Sequence, residues 1–205
     1  MKILRTLAVA GAAAALAFMP TAANAVTLNV EYDATGWSHI NTTDSDLWIK
    51  PTTLSLAMES DDGTFTGHMP LQPADTKFHL LGFLPVKAQV NFIEAAPVTG
   101  SIAYVDGANK VTSTASYYIR LSDVLIGGLP AFVGNNCRTK VPVTIPANTP
   151  AGESFDVTNG GRLVGEYTIG AFQNCGLQTF ILNQIVPGHG STIDLNVSNG
   201  RISVG

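Results

Sequence analysis

Residues Thr52–Ser60 read TTLSLAMES, and their alternation decides the fold. Leu54, Leu56 and Met58 fall on one side of an extended chain, and Ser55, Ala57 and Glu59 on the other. Successive side chains of a β-strand point to opposite faces, so this is a strand with one face in a core and one towards water. Asp61-Asp62-Gly63 follows at once and supplies a hairpin turn into TFTGHMPL.

The same period of two recurs outward from this hairpin. In PVKAQVNFIEA, Val86, Ala88, Val90 and Phe92 point inward while Lys87, Gln89 and Asn91 point outward. GSIAYV turns through Asp106-Gly107 into the run KVTSTASYYIRLS. KVPVTI, SFDV, RLVGEYTI and TIDLNV read as further strands, with a turn at Asn159-Gly160-Gly161. Strands at this spacing, punctuated by Gly, Asp and Asn, predict an all-β domain, an antiparallel β-sandwich or flattened barrel. One segment after Cys175, GLQTFILNQIV, has room for a short helix. LGFLPV and GGLPAFV share a Gly-x-Leu-Pro pattern, which reads equally as two equivalent corners where a strand changes sheet and as a chance recurrence of loop residues.

The N-terminus indicates the compartment. Lys2 and Arg5 precede an apolar run from Leu7 to Met19, Pro20 breaks it, and Ala23-Asn24-Ala25 has the small-x-small form of a cleavage site. Residues 1–25 therefore read as a secretory signal peptide, too short to span a bilayer, and residues 26–205 as a single secreted domain. That leaves no transmembrane anchor in the mature chain. The leader takes Lys2 and Arg5, which leaves nine basic residues against 15 acidic ones, a net charge of −6. A nucleic-acid binder needs a basic face against phosphate, and so few scattered cations exclude that class. The two cysteines, Cys137 and Cys175, form the one disulfide an exported chain can make from them.

The segments FHLLGFLPVKAQVNF, YYIRLSDVLIGGLP, GNNCRTKVPVTI and GGRLVGEYTIGAFQNCGLQTFILNQIVPGHGSTIDL together resemble a set of small exported proteins of actinobacteria. The likeness runs over most of the chain after the leader. Its most specific parts are the NCRT and NCG cysteine contexts and the closing PGHGST. The resemblance implies export, a disulfide and β architecture, and it implies no activity and no catalytic residue.

Catalytic motifs are missing from the sequence. There is no G-x-S-x-G elbow and no H-E-x-x-H. His39, His68, His79 and His189 are widely separated, and His189 between two glycines reads as a turn residue. Of the five glutamates (Glu31, Glu59, Glu94, Glu153 and Glu166), no two lie close on one strand, as a glycosidase pair requires. Asp44 with Asp46, and Asp61 with Asp62, are explained by turn chemistry rather than by calcium. Trp37, Trp48, Tyr117 and Tyr118 are candidates for a sugar platform, and Tyr117 and Tyr118 must face opposite ways.

The loops LLGFLPV, LIGGLPAFVG and FILNQIVPG are too apolar for ordinary solvent loops. Leu84, Ile126, Leu129, Phe132 and Phe180 are expected to gather at one end of the sandwich, because Phe132 and Phe180 are each five residues from a cysteine. As a cap they belong to the core, which is the expectation preferred here. As a patch they bind an envelope protein or lipid. The expected function is a non-enzymatic binding or structural module at the envelope, with no metal or cofactor. A carrier of a hydrophobic ligand is the alternative, and a hydrolase stands below that.

Overall fold

A computed structural model describes residues 26–80 and 82–204. Residues 1–25, the segment read as a signal peptide, lie outside the described residues.

The chain forms β1 (Thr27–Ile40), β2 (Ser45–Glu59), β3 (Thr64–His68), β4 (Ala74–Leu80), β5 (Leu84–Val105), β6 (Ala108–Ile126), β7 (Leu129–Pro130), β8 (Arg138–Thr139), β9 (Val143–Pro146), β10 (Gly160–Ile169), β11 (Phe172–Gln173), α1 (Thr179–Ile185) and β12 (Gly188–Val204). All ladders are antiparallel and belong to one sheet in the order β10-β12-β1-β2-β3-β5-β6-β8-β11. β4 joins β5, and β7 and β9 join β6. The sheet folds over on itself as a sandwich, and Leu47 and Tyr167 of one half share an interior cavity with Val90 and Leu121 of the other.

The sequence pattern explains the layers. Leu54, Leu56 and Met58 are buried, as are Val86, Ala88 and Val90. Tyr117 is buried and donates its hydroxyl to the Met69 carbonyl at 2.7 Å. Tyr32 does the same towards the Val157 carbonyl at 2.6 Å. Burial holds the Tyr32 phenol up at about 12, and Tyr117 and Tyr167 are raised for the same reason.

Two breaks shape the sandwich. β3 and β4 run consecutively along β5, but only β3 is laddered to β2. Beside β4, β2 and the segment before β4 are joined instead through side chains: Lys50 Nζ donates to the Pro73 carbonyl and Gln72 Nε2 to the Pro51 carbonyl. Pro51, Pro70 and Pro73 carry no N–H, so no ladder forms along this seam. At the other side the two sheet halves meet through one bridge, Asn148 to Val164. Gly165 lies beneath it, where any Cβ would run into the Pro146 carbonyl.

Four sequence expectations change. PVKAQVNFIEA and GSIAYV are one strand, β5, kept continuous past Pro97 by register shifts between Glu94, Ala96 and Thr99. KVPVTI contracts to Val143–Pro146. SFDV is no strand: the Asp156 carboxylate accepts from the backbone N–H groups of Thr158 and Asn159 at 2.7 and 3.0 Å and builds a turn. The two Gly-x-Leu-Pro segments are not corners between sheets. They are neighbouring hairpin turns, β4–β5 and β6–β7, tied by the Gly127 N–H to the Pro85 carbonyl at 2.8 Å.

Candidate functional site

The end of the sandwich beyond Leu84 and Ile126 holds most of the residues singled out from sequence. Cys137 and Cys175 are bonded and fully buried behind it, where the Cys137 carbonyl accepts the Leu121 N–H. The bridge joins the start of β8 to the turn that leads into α1, so both apolar loops leave from one point. Gly176 lies beside the Phe132 carbonyl. The β4–β5 turn meets α1 across a cleft lined by Lys77, Leu80, Gly82 and Gln184.

The five predicted apolar residues do share this end, but most of them do not cap it. Leu129 is 73% exposed, Phe132 87% and Phe180 74%. Leu84 is half-buried, and Ile126 packs against the core. The core-cap expectation is therefore overturned for Leu129, Phe132 and Phe180. The reason is parity: Ala131 and Val133 turn inward on either side of Phe132, and Leu182 turns inward from α1. Phe172 completes the cap, with its N–H donating to Asn183 Oδ1 and its carbonyl accepting from Asn183 Nδ2. Sequence reasoning missed Phe83 and Leu177, which are 73% and 95% exposed at the same end. Phe83 was legible as the tip of a two-sided turn, since pairing Leu80 with Leu84 leaves it nowhere to pack.

Beneath this end lies an apolar cavity of about 60 Å³, closed by Phe172, Leu182 and Val186 and walled by Leu47, Phe78 and Val90. Ligand pockets run to roughly 300–1,000 Å³. An open groove of about 700 Å³ runs outside, between β6 and residues 130–135, with Leu125, Pro130 and Phe132 on its walls and Arg120, Ser122 and Asn135 among its polar groups.

The aromatic candidates separate. Tyr117 is core, and Tyr118 lies outward beneath the Arg138 guanidinium, 4.5 Å from its ring centre. Trp37 and Trp48 are brought directly opposite each other on β1 and β2, with ring centres 6.4 Å apart and planes 30° apart. Both are exposed on the outer face. Asp194, opposite Trp37 on β12, is held below the usual carboxylate range by its hydrogen bonds from Arg162.

Strand pairing also creates histidine–carboxylate contacts that sequence distance hid. His68 Nδ1 is 3.2 Å from Glu94, which also accepts the Met69 N–H, and His39 Nδ1 is 2.9 Å from Asp46. His189 meets the Thr168 hydroxyl at 2.8 Å. These contacts lie on separate parts of the surface, and among the described residues no three metal-ligating side chains gather at one point. No helix among the described residues is long and apolar enough to cross a membrane. Comparison with protein-family models, curated proteins and solved structures finds no match.

Proposed function

We propose that the protein is an exported, non-enzymatic β-sandwich that acts as a binding module at the cell envelope and attaches through its apolar end. One observation carries this reading: Phe83, Leu129, Phe132, Leu177 and Phe180, all at least 73% exposed, stand at a single end. Together they present on the order of 700 Å² of apolar side chain, above the few hundred usual for the surface of a monomer. The basic-then-apolar leader and the disulfide support export. A carrier holding its cargo between the sheets fits poorly with an interior of about 60 Å³.

The test is fractionation of cells expressing the tagged chain. Wild type is expected in the envelope fraction, and the Phe132→Ser/Phe180→Ser double variant in the medium with an unchanged melting temperature. Equal release of both proteins into the medium would refute attachment through this end.

A further inference from the structure

We infer that the partner of this end is a lipid bilayer surface bearing anionic headgroups; the inference rests on the attachment reading above and names its partner. The added observation is a set of cations on the outer face of β4, β5, β6 and β8. The register places Lys77 directly opposite Lys87, and Arg120 directly opposite Arg138. Like charges facing each other across strands repel and weaken the pairing. Among the described residues, none of these four cations has a carboxylate within ion-pair distance. The two arginines of the other half are treated differently: Arg162 meets Glu153 and Asp194, and Arg201 meets Glu31 and Asp33, while Lys50 there donates to the Pro73 carbonyl. The Nε atoms of Arg120 and Arg138 are buried without a hydrogen-bond partner. Arg120 lines the open groove that Phe132 walls.

Two like-charged pairs left without counterions, in a chain with more acids than bases, mark a place where negative charge comes from outside. Asp75 and Asp123 lie on the same face, so four cations stand against two carboxylates there, and Asp44 lies in the neighbouring β1–β2 turn. The far end makes the contrast. Tyr104 and Val105 are exposed there too, but the turns around them carry Glu59, Asp61, Asp62 and Asp106. Apolar side chains thus reach solvent at both ends; at the far end the nearby cation Lys110 is held by the Pro150 and Glu153 carbonyls and is outnumbered by these acids.

The spacing suits a bilayer interface. Lys77 and Lys87 each stand three residues behind the β4–β5 turn, about 10 Å at the rise of a strand. Apolar groups at a membrane surface sink about 5–10 Å. With Phe83 and Leu129 at that depth, the two ammonium groups lie level with headgroup phosphates, while Arg120, six residues behind the β6–β7 turn, adds to the positive field from further back. Net negative charge does not oppose this. Screening acts over about 8 Å in physiological salt, whereas the 22 residues of β5 extend over roughly 70 Å, so the far acids are not felt.

Co-sedimentation of the exported, oxidised protein with vesicles tests the inference. Binding is expected to equimolar phosphatidylglycerol and phosphatidylcholine, little to phosphatidylcholine alone, and a steady loss as salt is raised. A cation near an anionic surface is worth roughly fivefold in partitioning, so Lys77→Gln/Lys87→Gln is expected to bind about 30-fold more weakly at an unchanged melting temperature. Tyr104→Ser, at the far end, is expected to bind as wild type does. Equal binding to neutral vesicles, or no effect of the lysine changes, overturns the inference. If wild type ignores both vesicles yet fractionates with the envelope in a Phe132-dependent way, the partner is a protein: the lipid inference is lost and the attachment reading stands. If neither vesicles nor envelope retain it, the attachment reading is lost as well.

Discussion

Replacing both bridge cysteines, Cys137→Ala/Cys175→Ala, isolates the contribution of the disulfide. The two sulfur atoms are fully buried, so alanine leaves an apolar site rather than two competing thiols. The bridge closes 38 residues that carry β8 to β11. Freeing a loop of that length raises the entropy of the unfolded chain by about 4 kcal/mol at 25 °C in the chain-entropy model. Native contacts at the bridge do little to replace it. β8 and β11 share two residue pairs, and β8 meets β6 through the Arg120–Arg138 pair and the Ile119 N–H donating to Thr139 Oγ1. Against a total stability of roughly 5–15 kcal/mol this is a large fraction. For a domain of this size it corresponds to a fall in melting temperature of about 8–16 °C. Guanidinium unfolding of the oxidised wild type and the double variant measures it directly. Because the effect lies in the unfolded chain, the denaturant slope should also rise, as an unbridged chain exposes more surface. A stability change below about 1 kcal/mol with an unchanged slope would show that the entropic reasoning is wrong for this bridge.

Three other changes follow from burial and charge. Phe172→Ala should cost about 3–5 kcal/mol, while Phe132→Ala should stay within about 0.5 kcal/mol, both read by denaturant midpoint; equal losses would return Phe132 to the core. Tyr32, Tyr117 and Tyr167 are raised by burial, so their contribution is complete below pH 10, the unfolded value, and is lost as pH rises through the folded ones; absorbance at alkaline pH should show these three ionising only with unfolding, and three tyrosines titrating freely near 10 in the folded protein would refute it. Asp156 is depressed by hydrogen bonds from Thr158 and Asn159, so its contribution is present above the ordinary aspartate value near 4 and lost as pH falls below it; the stability gap between wild type and Asp156→Ala should close in acid, and a gap independent of pH would refute the role.

Most of the architecture was legible because it rests on parity. TTLSLAMES and PVKAQVNFIEA each predict which side chains are buried, and Leu56, Met58, Ala88 and Val90 are. The seam between β2 and β4 was not legible, since it depends on Pro51, Pro70 and Pro73 being brought side by side from separate segments. Nor was the pairing of β1 with β2: the alternation that buries Val30, Tyr32, Ala34 and Ser38 turns Trp37 outward, and the register slips between Ala34 and Gly36. The Trp37–Trp48 pair follows from that shift, and no local pattern encodes a cross-strand partner.

The cationic face was hidden for a similar reason, and one residue shows how. On β6, Leu121 points inward and Ser122 outward, so strict alternation would bury Asp123 and expose Val124. The observed order is the reverse: Asp123 is exposed and Val124 buried. Asp123 takes a φ of 51°, a left-handed conformation that aspartate tolerates, and the register against β5 slips there by one residue. The bulge keeps a carboxylate out of the core at the cost of one unpaired position. It also decides what lies beside Lys87, because the slip sets Leu125 and not Val124 opposite it. Both residues are apolar, so β6 sets no anion directly opposite Lys87 in either register. The break in alternation at Ser122-Asp123-Val124 is therefore a device that turns an acid out of the core, and it leaves an apolar residue of β6 opposite Lys87.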